Sequence, residues 1–499
     1  MTRIDRRYFI LGGAAAAGSL VLSSSATAAP LNPFRLGVAS GDPAPTSVVL
    51  WTRLAVRPLN ADGHGGMPRK PIAVQWQVAT TARFSRIVAS GTVNARWADA
   101  HSVHVIARGL QPGAVYYYRF RAFGQISPVG RTRTAPAAGT FGPDLRIAVA
   151  SCANYENGYY TAYRRIAEEN PGLVLFLGDY IYEESGSPGR VRSHAGGETV
   201  TLADYRRRYA QYRTDPDLRA AHAAAPWLVV PDDHEVENNY AKLVRANSRP
   251  ALTAAQWRAR RAAAYRAYYE NMPLRSASFY RRVGWGRLAT FHMLDTRQFR
   301  DDQPCGDYWK VCAAADAPNR TITGAAQEKW LLDGLARHYG TWDVLGQQVF
   351  FARYADEAGA ANMDAWDGYR GARDRLQRGW LQRGVRNPLV LTGDVHAALA
   401  NDLKLDYRDP GSATIGTELI CTSVSSNGDG TALREVPWPG VNPHIRHYSE
   451  RRGYTMVTIG QERIRADFRV LPRVSRPGAP VSTNASFVVE AGRPGLHRV

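Results

Sequence analysis

Seven residues concentrate the chemistry of this 499-residue chain: Cys152, Asp179, Tyr182, Asp233, His234, Asp394 and His396. Each lies at or just beyond the end of a short apolar run. Hydrolysis of a phosphate ester needs a nucleophile, neutralisation of the phosphoryl oxygens and help for the leaving group. Two metal ions roughly 3.5–4 Å apart supply all three when a carboxylate bridges them. Asp179 is placed for that bridge. It follows the apolar run Leu173 to Leu177, and Gly178 allows the tight turn that would present it.

Taken singly, these residues have blander readings. A lone Cys152 reads as a buried structural thiol, and a lone Tyr182 as packing. Asp179 reads as a helix cap or turn residue, and Asp232-Asp233 as a solvated turn. Their order along the chain, each behind an apolar run, is what makes them a set.

The elements that must position them follow from those runs. Leu145 to Ala150 ends in Ser151-Cys152, and Leu173 to Leu177 in Gly178-Asp179. Leu228 to Val230 ends in Pro231-Asp232-Asp233-His234, and Leu288 to Leu294 in Asp295. Leu389 to Leu391 ends in Thr392-Gly393-Asp394-Val395-His396. Short continuous apolar runs read as strands buried on both faces. Polar residues gathered at strand ends are the pattern of an open α/β sheet. The catalytic region is read as 145–499, with a helical insertion at about 195–280 drawn from the Arg-, Ala- and Tyr-rich stretches Thr201 to Ala223 and Thr253 to Tyr269.

Residues 33–136 read differently, as an all-β module. Val48 to Trp51, Ile72 to Val78, His104 to Ala107 and Tyr116 to Phe120 are short β-rich runs split by turn residues. Leu110 to Tyr118 looks like a fibronectin- or immunoglobulin-like strand entry with a tyrosine corner. Ala135 to Pro143, rich in Pro, Gly and Ala, reads as a linker.

The motifs resemble a known family. Gly178-Asp179-Tyr180-Ile181-Tyr182 is similar to the Gly-Asp-x-x-Tyr block of purple-acid-phosphatase-type metallophosphoesterases. Asp233-His234-Glu235 resembles their Gly-Asn-His-Asp/Glu block, with Asp233 at the Asn position. Gly393-Asp394-Val395-His396 resembles their Gly-His-x-His block, with Asp394 in place of the first His. Cys152 stands where the first Asp ligand is expected. These departures resemble the alkaline phosphatase D branch, as do Phe34 to Pro43, Asp232 to Asn239, Leu294 to Gln298 and Asn442-Pro443-His444. The resemblance spans essentially the whole mature chain. It implies an α/β fold, a metallophosphoesterase β-sandwich flanked by helices and preceded by the fibronectin/immunoglobulin-like domain.

It also implies ferric iron (Fe3+) on Cys152, Asp179, Tyr182 and His396, a set of thiolate, carboxylate, phenolate and imidazole that suits a transition metal. The second site would rest on Asp179, Asp233 and Asp394, with Asp232 a further ligand or a carboxylate behind them. Exchange of Asn and His for carboxylates hardens that site and favours calcium (Ca2+) over zinc or manganese. The expected reaction is attack of a metal-bound hydroxide on phosphorus, with His234 as general acid or transition-state stabiliser. Some of Arg206, Arg208, Arg297 and His444 would bind the substrate phosphate.

The N-terminus reads as an export signal. Arg6-Arg7-Tyr8-Phe9 precedes an apolar run from Leu11 to Leu22, and Ala26-Thr27-Ala28 offers a cleavage site. The paired arginines resemble a twin-arginine signal, which implies the twin-arginine export machinery as a partner and a secreted, periplasmic or cell-wall location. The apolar run is shorter than the roughly 20 residues that span a bilayer, so no transmembrane anchor is expected. A monomer is expected.

The formal net charge is +19, or +17 without residues 1–28, and Arg supplies nearly all of the positive side. The arginines are spread along the chain, so the balance favours anionic substrates in general and no stable nucleic-acid partner. Among four cysteines, Cys305 and Cys312 enclose six residues and suit a local disulfide after export. Cys152 and Cys421 could pair, stay buried and free, or bind metal.

The function expected is a secreted metal-dependent phosphoesterase acting on mono- and diesters. A phospholipase D or wall-polymer phosphodiesterase would use the same site. A non-catalytic surface or carbohydrate-binding protein is the alternative of another class, and the intact ligand set argues against it.

Overall fold

The computed structural model describes residues 32–246, 252–409 and 411–499. Asn32–Val499 form one compact unit. The expected signal at residues 1–28 lies outside the described residues.

The apolar runs are continuous because each strand is covered on both faces. In Leu145–Ala150, the side chains of Leu145, Ile147 and Val149 enter one core and those of Ala148 and Ala150 another. Leu173–Leu177 divides in the same way, with Leu173, Leu175 and Leu177 opposite Val174 and Phe176. The period of two along a strand produces this split.

Two mixed sheets carry the chain. The larger has ten strands, in the order Arg493–Arg498, Ser482–Glu490, Arg463–Val470, Gly453–Ile459, Leu145–Ala150, Leu173–Leu177, Pro226–Val230, Val38–Ala44, Ser47–Arg53 and Ser102–Arg108. The run from Leu145–Ala150 to Val38–Ala44 is parallel. The smaller has seven strands, and its Ala289–Met293, Trp342–Gln347, Pro388–Thr392 and Thr414–Ile420 strands are parallel neighbours. One core joins the facing sides of the two sheets, with Ile147, Leu175 and Leu228 from the larger and Phe291, Val344 and Leu391 from the smaller.

Helices cover both outer faces. Thr161–Glu169, Leu202–Arg213, Pro216–Ala224 and Ala254–Asn271 pack on the larger sheet. Ala325–Leu335 and Arg370–Gln382 pack on the smaller. Local chemistry starts several of them: Thr201 with Asp204 and Thr253 with Gln256 form capping boxes, and Asp215 caps a helix that begins with Pro216. Among its described residues the stretch 195–280 thus holds three helices, with the central strand Pro226–Val230 threaded among them.

The strands of 33–136 divide between two sheets. Ile72–Ala79, Ile87–Ala95, Val115–Ala122, Gln125–Ile126 and Gly130–Arg133 form their own sheet. Val38–Ala44, Ser47–Arg53 and Ser102–Arg108 extend the larger one. The Tyr116 hydroxyl accepts the Gln111 N–H at 2.8 Å.

The parallel strands of both sheets end at the same place. Ser151 bridges Ser423, and Gly393 crosses between the two strand ends. A Cβ on Gly393 would lie 2.8 Å from the Leu177 carbonyl oxygen and 2.9 Å from Ser151 Cβ, so only glycine fits. Gly178 has φ +104°, and a Cβ there would lie 2.3 Å from Asp232 Cβ.

Cys305 and Cys312 form a disulfide, while Cys152 and Cys421 are buried free thiols, so the pairing of the latter two is not made. Among the described residues no helix is long and apolar enough to cross a membrane.

Candidate metal centre

The strand ends deliver the predicted ligands into overlapping groups. Cys152, Asp179 and His396 form one, Asp179, Asp233 and His234 a second, and Asp232, Asp233 and Asp394 a third. Within each group the candidate ligand atoms lie within 4.8 Å of one another. Asp179 belongs to the first and second groups and Asp233 to the second and third, as bridging carboxylates would.

The backbone is bent to achieve this. Cys152, Asp179, Asp394 and His396 all adopt left-handed φ, between 58° and 60°. Such conformations cost of order 1–3 kcal/mol each outside glycine and persist where the surroundings hold them. Here Cys152 N–H donates to the Gly178 carbonyl at 3.1 Å and Ala153 N–H to the Asp179 carbonyl at 2.9 Å, locking adjacent strand ends together.

Tyr182 closes the first group. Its hydroxyl donates to Asp179 Oδ2 at 3.0 Å and lies 3.2 Å from His396 Nε2, while Ser426 Oγ donates to it at 2.7 Å. The Tyr212 hydroxyl accepts Tyr182 N–H at 3.1 Å. Asn427 reaches His396 Nδ1 at 2.9 Å.

Several buried atoms in the centre lack partners: Asp179 Oδ1, Asp232 Oδ2 and Asp233 Oδ1. A buried carboxylate oxygen without a donor is costly. Three of them, all on carboxylates of these overlapping groups, fit a cation. Without one, burial and then neighbouring charge disfavour ionisation. Burial and Asp233 push Asp179 well above the usual carboxylate range. Burial, Asp232 and Asp233 do the same to Asp394. Burial followed by Asp179 raises both the Cys152 thiol and the Tyr182 phenol. Burial pushes His396 down to about 3, leaving a neutral imidazole suited to ligation.

Arg297 was one of the candidates for meeting substrate. It is fully buried, and its guanidinium donates to Asp232 Oδ1 at 2.5 Å and Asp364 Oδ1 at 2.7 Å, with Asp233 Oδ1 at 3.7 Å. It balances the carboxylates from behind. Asp364 also accepts from Arg300 and Gln303.

His444 is not brought to the centre either. Its Nε2 lies 2.7 Å from the Arg353 carbonyl, and its ring packs edge-on against Tyr407. Arg206 pairs with Glu270, and Arg208 donates to the carbonyls of Tyr182, Glu184 and Gly197. Both are thereby spent on structure.

His234 lies against the Tyr182 ring, with centroids 4.0 Å apart, and its Nδ1 meets Glu183 Oε2 at 2.6 Å. Burial opposes its protonation, but Glu183, Asp233 and Asp179 outweigh that and raise its pKa well above the ordinary value.

Sequence reasoning missed the residues behind the ligands. Glu235 accepts the backbone N–H groups of Asp179, Tyr180 and Asp232 at 3.1, 2.6 and 2.8 Å, clamping two ligand loops together. Its place in the Asp233-His234-Glu235 motif was the available signal. Asp364, Ser426 and Asn427 carried none.

Known proteins share this chain's sequence and fold. Residues 147–468 match the family model described as PhoD-like phosphatase, and residues 20–136 match that of the PhoD-like phosphatase N-terminal domain. Alkaline phosphatase D of Bacillus subtilis (strain 168) is 46% identical over 527 aligned positions, covering 99% of this chain and 89% of that protein. The solved structure of PhoD superposes with a TM-score of 0.90 at 45% identity, covering 94% of this chain and 93% of the other. The chain belongs to the PhoD-like phosphatase family.

Proposed function

We propose that this phosphoric ester hydrolase works through a mixed metal centre on phosphate mono- and diesters. Its family membership establishes the phosphoesterase activity. The proposed addition is ferric iron on Cys152, Asp179, Tyr182 and His396, with calcium on Asp179, Asp233 and Asp394 and Asp232 beside them. The observation that carries it is the set of overlapping ligand groups sharing Asp179 and Asp233, with a partnerless buried oxygen on each of Asp179, Asp232 and Asp233.

Cations held there would neutralise the phosphoryl oxygens and acidify a water molecule for in-line attack on phosphorus. The protein's own part is to hold the ligands and serve the leaving group. Ser426 and Asp179 fix the Tyr182 hydroxyl from two sides. Asn427 orients His396 from its outer nitrogen. His234, 12% exposed at its side chain, is the group open to the leaving alcohol and the proposed general acid. The reading of residues 1–28 adds export by the twin-arginine route before the enzyme meets its substrate.

The test is metal removal and return. Chelation is expected to abolish hydrolysis and bleach a visible band arising from the Tyr182 and Cys152 ligands. Iron with calcium is expected to restore both. A colourless, iron-free and fully active enzyme would sink the iron assignment.

A further inference from the structure

We infer that Glu183 is a positioning residue for His234, fixing which imidazole nitrogen is offered to the leaving group. The inference rests on the reading of His234 as the group serving that oxygen.

Glu183 follows the ligand Tyr182 directly and is buried, 3% exposed. Its two oxygens are both taken by one turn of chain. Oε2 lies 2.6 Å from His234 Nδ1, and Oε1 accepts the Asn238 N–H at 2.8 Å. That turn is itself closed by the N–H groups of Val236 and Glu237 on the Asp233 carbonyl. A carboxylate only accepts hydrogen bonds, so Nδ1 carries a hydrogen held by Glu183, and Nε2 is the nitrogen left to carry the proton given to the leaving oxygen. The Tyr182 ring, with its centroid 4.0 Å away, supports the imidazole from its face. Packing alone allows the ring to turn over and exchange its nitrogens. The bond to Glu183 forbids that.

The arrangement also ties two parts of the reaction together. Tyr182 and Glu183 are consecutive, so the segment that brings a metal ligand also sets the acid. Thr199 N–H donates to the Glu183 carbonyl at 2.8 Å and anchors this segment from outside the centre.

The experiment compares Glu183→Leu, His234→Ala and the double variant in the metal-loaded enzyme. Each is assayed on p-nitrophenyl phosphate, whose leaving group needs little protonation, and on glycerol phosphate, whose leaving group needs it. Glu183→Leu is expected to lower kcat on glycerol phosphate by about 10–100-fold, the loss seen when partners that orient metal-site histidines are removed. KM should stay within about twofold, and the loss on p-nitrophenyl phosphate should be clearly smaller. Added to His234→Ala, Glu183→Leu should cost nothing further. Glu183→Gln, which keeps one acceptor oxygen, should fall between wild type and Glu183→Leu.

Bound iron and calcium are measured in every variant. Equal losses on both esters accompanied by lost metal would show a merely structural role and overturn the inference. Losses that multiply in the double variant, with leaving-group dependence intact in His234→Ala, would overturn the inference alone. Absence of that dependence in His234→Ala itself would overturn the reading of His234 and the inference with it.

Discussion

Asp179→Asn is expected to abolish hydrolysis and yet stabilise the cation-free protein. Asp179 is 1% exposed, its Oδ1 has no partner, and burial followed by Asp233 raises its pKa well above the usual range. The unfolded chain releases this proton near pH 3.9. An acid whose folded pKa is raised supports the fold fully only below the unfolded value, and that support is lost as pH rises toward the folded pKa. At about 1.4 kcal/mol per pH unit, keeping this group in place at pH 7 costs up to roughly 4 kcal/mol. Asparagine never ionises and escapes that cost. A weakened bond from Tyr182 returns about 1 kcal/mol. The net gain expected at pH 7 is about 1–3 kcal/mol. Unfolding entropy of roughly 2.1 cal/mol/K per residue makes the midpoint shift only about 1–3 °C in a chain this long. Urea titration of chelated protein at pH 4 and pH 7 is therefore the assay, and the gap between variant and wild type should widen with pH. With cations restored, each ion at 100 times its Kd adds about 2.7 kcal/mol to wild type, and two together should reverse the order. A chelated variant no more stable than wild type at pH 7 would refute the electrostatic argument. Retained hydrolysis would refute the bridging role.

Arg297→Met should destabilise the chelated protein by about 3–5 kcal/mol, because it strands Asp232 without its buried counter-charge and leaves Asp364 to Arg300 alone. Urea unfolding measures it, and a change under 1 kcal/mol would show that Arg297 is not that counter-charge. Exchange of Arg6 and Arg7 for lysine should leave the enzyme in the cytoplasm on fractionation, and normal secretion would count against the twin-arginine route.

What was legible in the sequence follows from how strands are built. A strand buried on both faces must be apolar throughout, so its end is visible as the first polar residue. Cys152, Asp179, Asp233, His234, Asp394 and His396 were found that way, and the structure groups them. Their supports obey no such rule. Ser426 meets Tyr182 across 244 residues, Glu183 meets His234 across 51 and Arg297 meets Asp364 across 67. Nothing local marks either partner of such a pair, because a buried ion pair is selected by distance in space alone. The same blindness applies to Arg297. An arginine near a phosphate-ester site suggests substrate binding by charge, whereas a fully buried one facing three carboxylates is already committed. The +17 net charge therefore says little about the centre itself, where Asp179, Asp232, Asp233 and Asp394 crowd together with one guanidinium behind them. Ionising all four together would leave a negative excess there. A cation is what the bend of four left-handed residues, the partnerless oxygens and the raised acid groups have in common as a remedy.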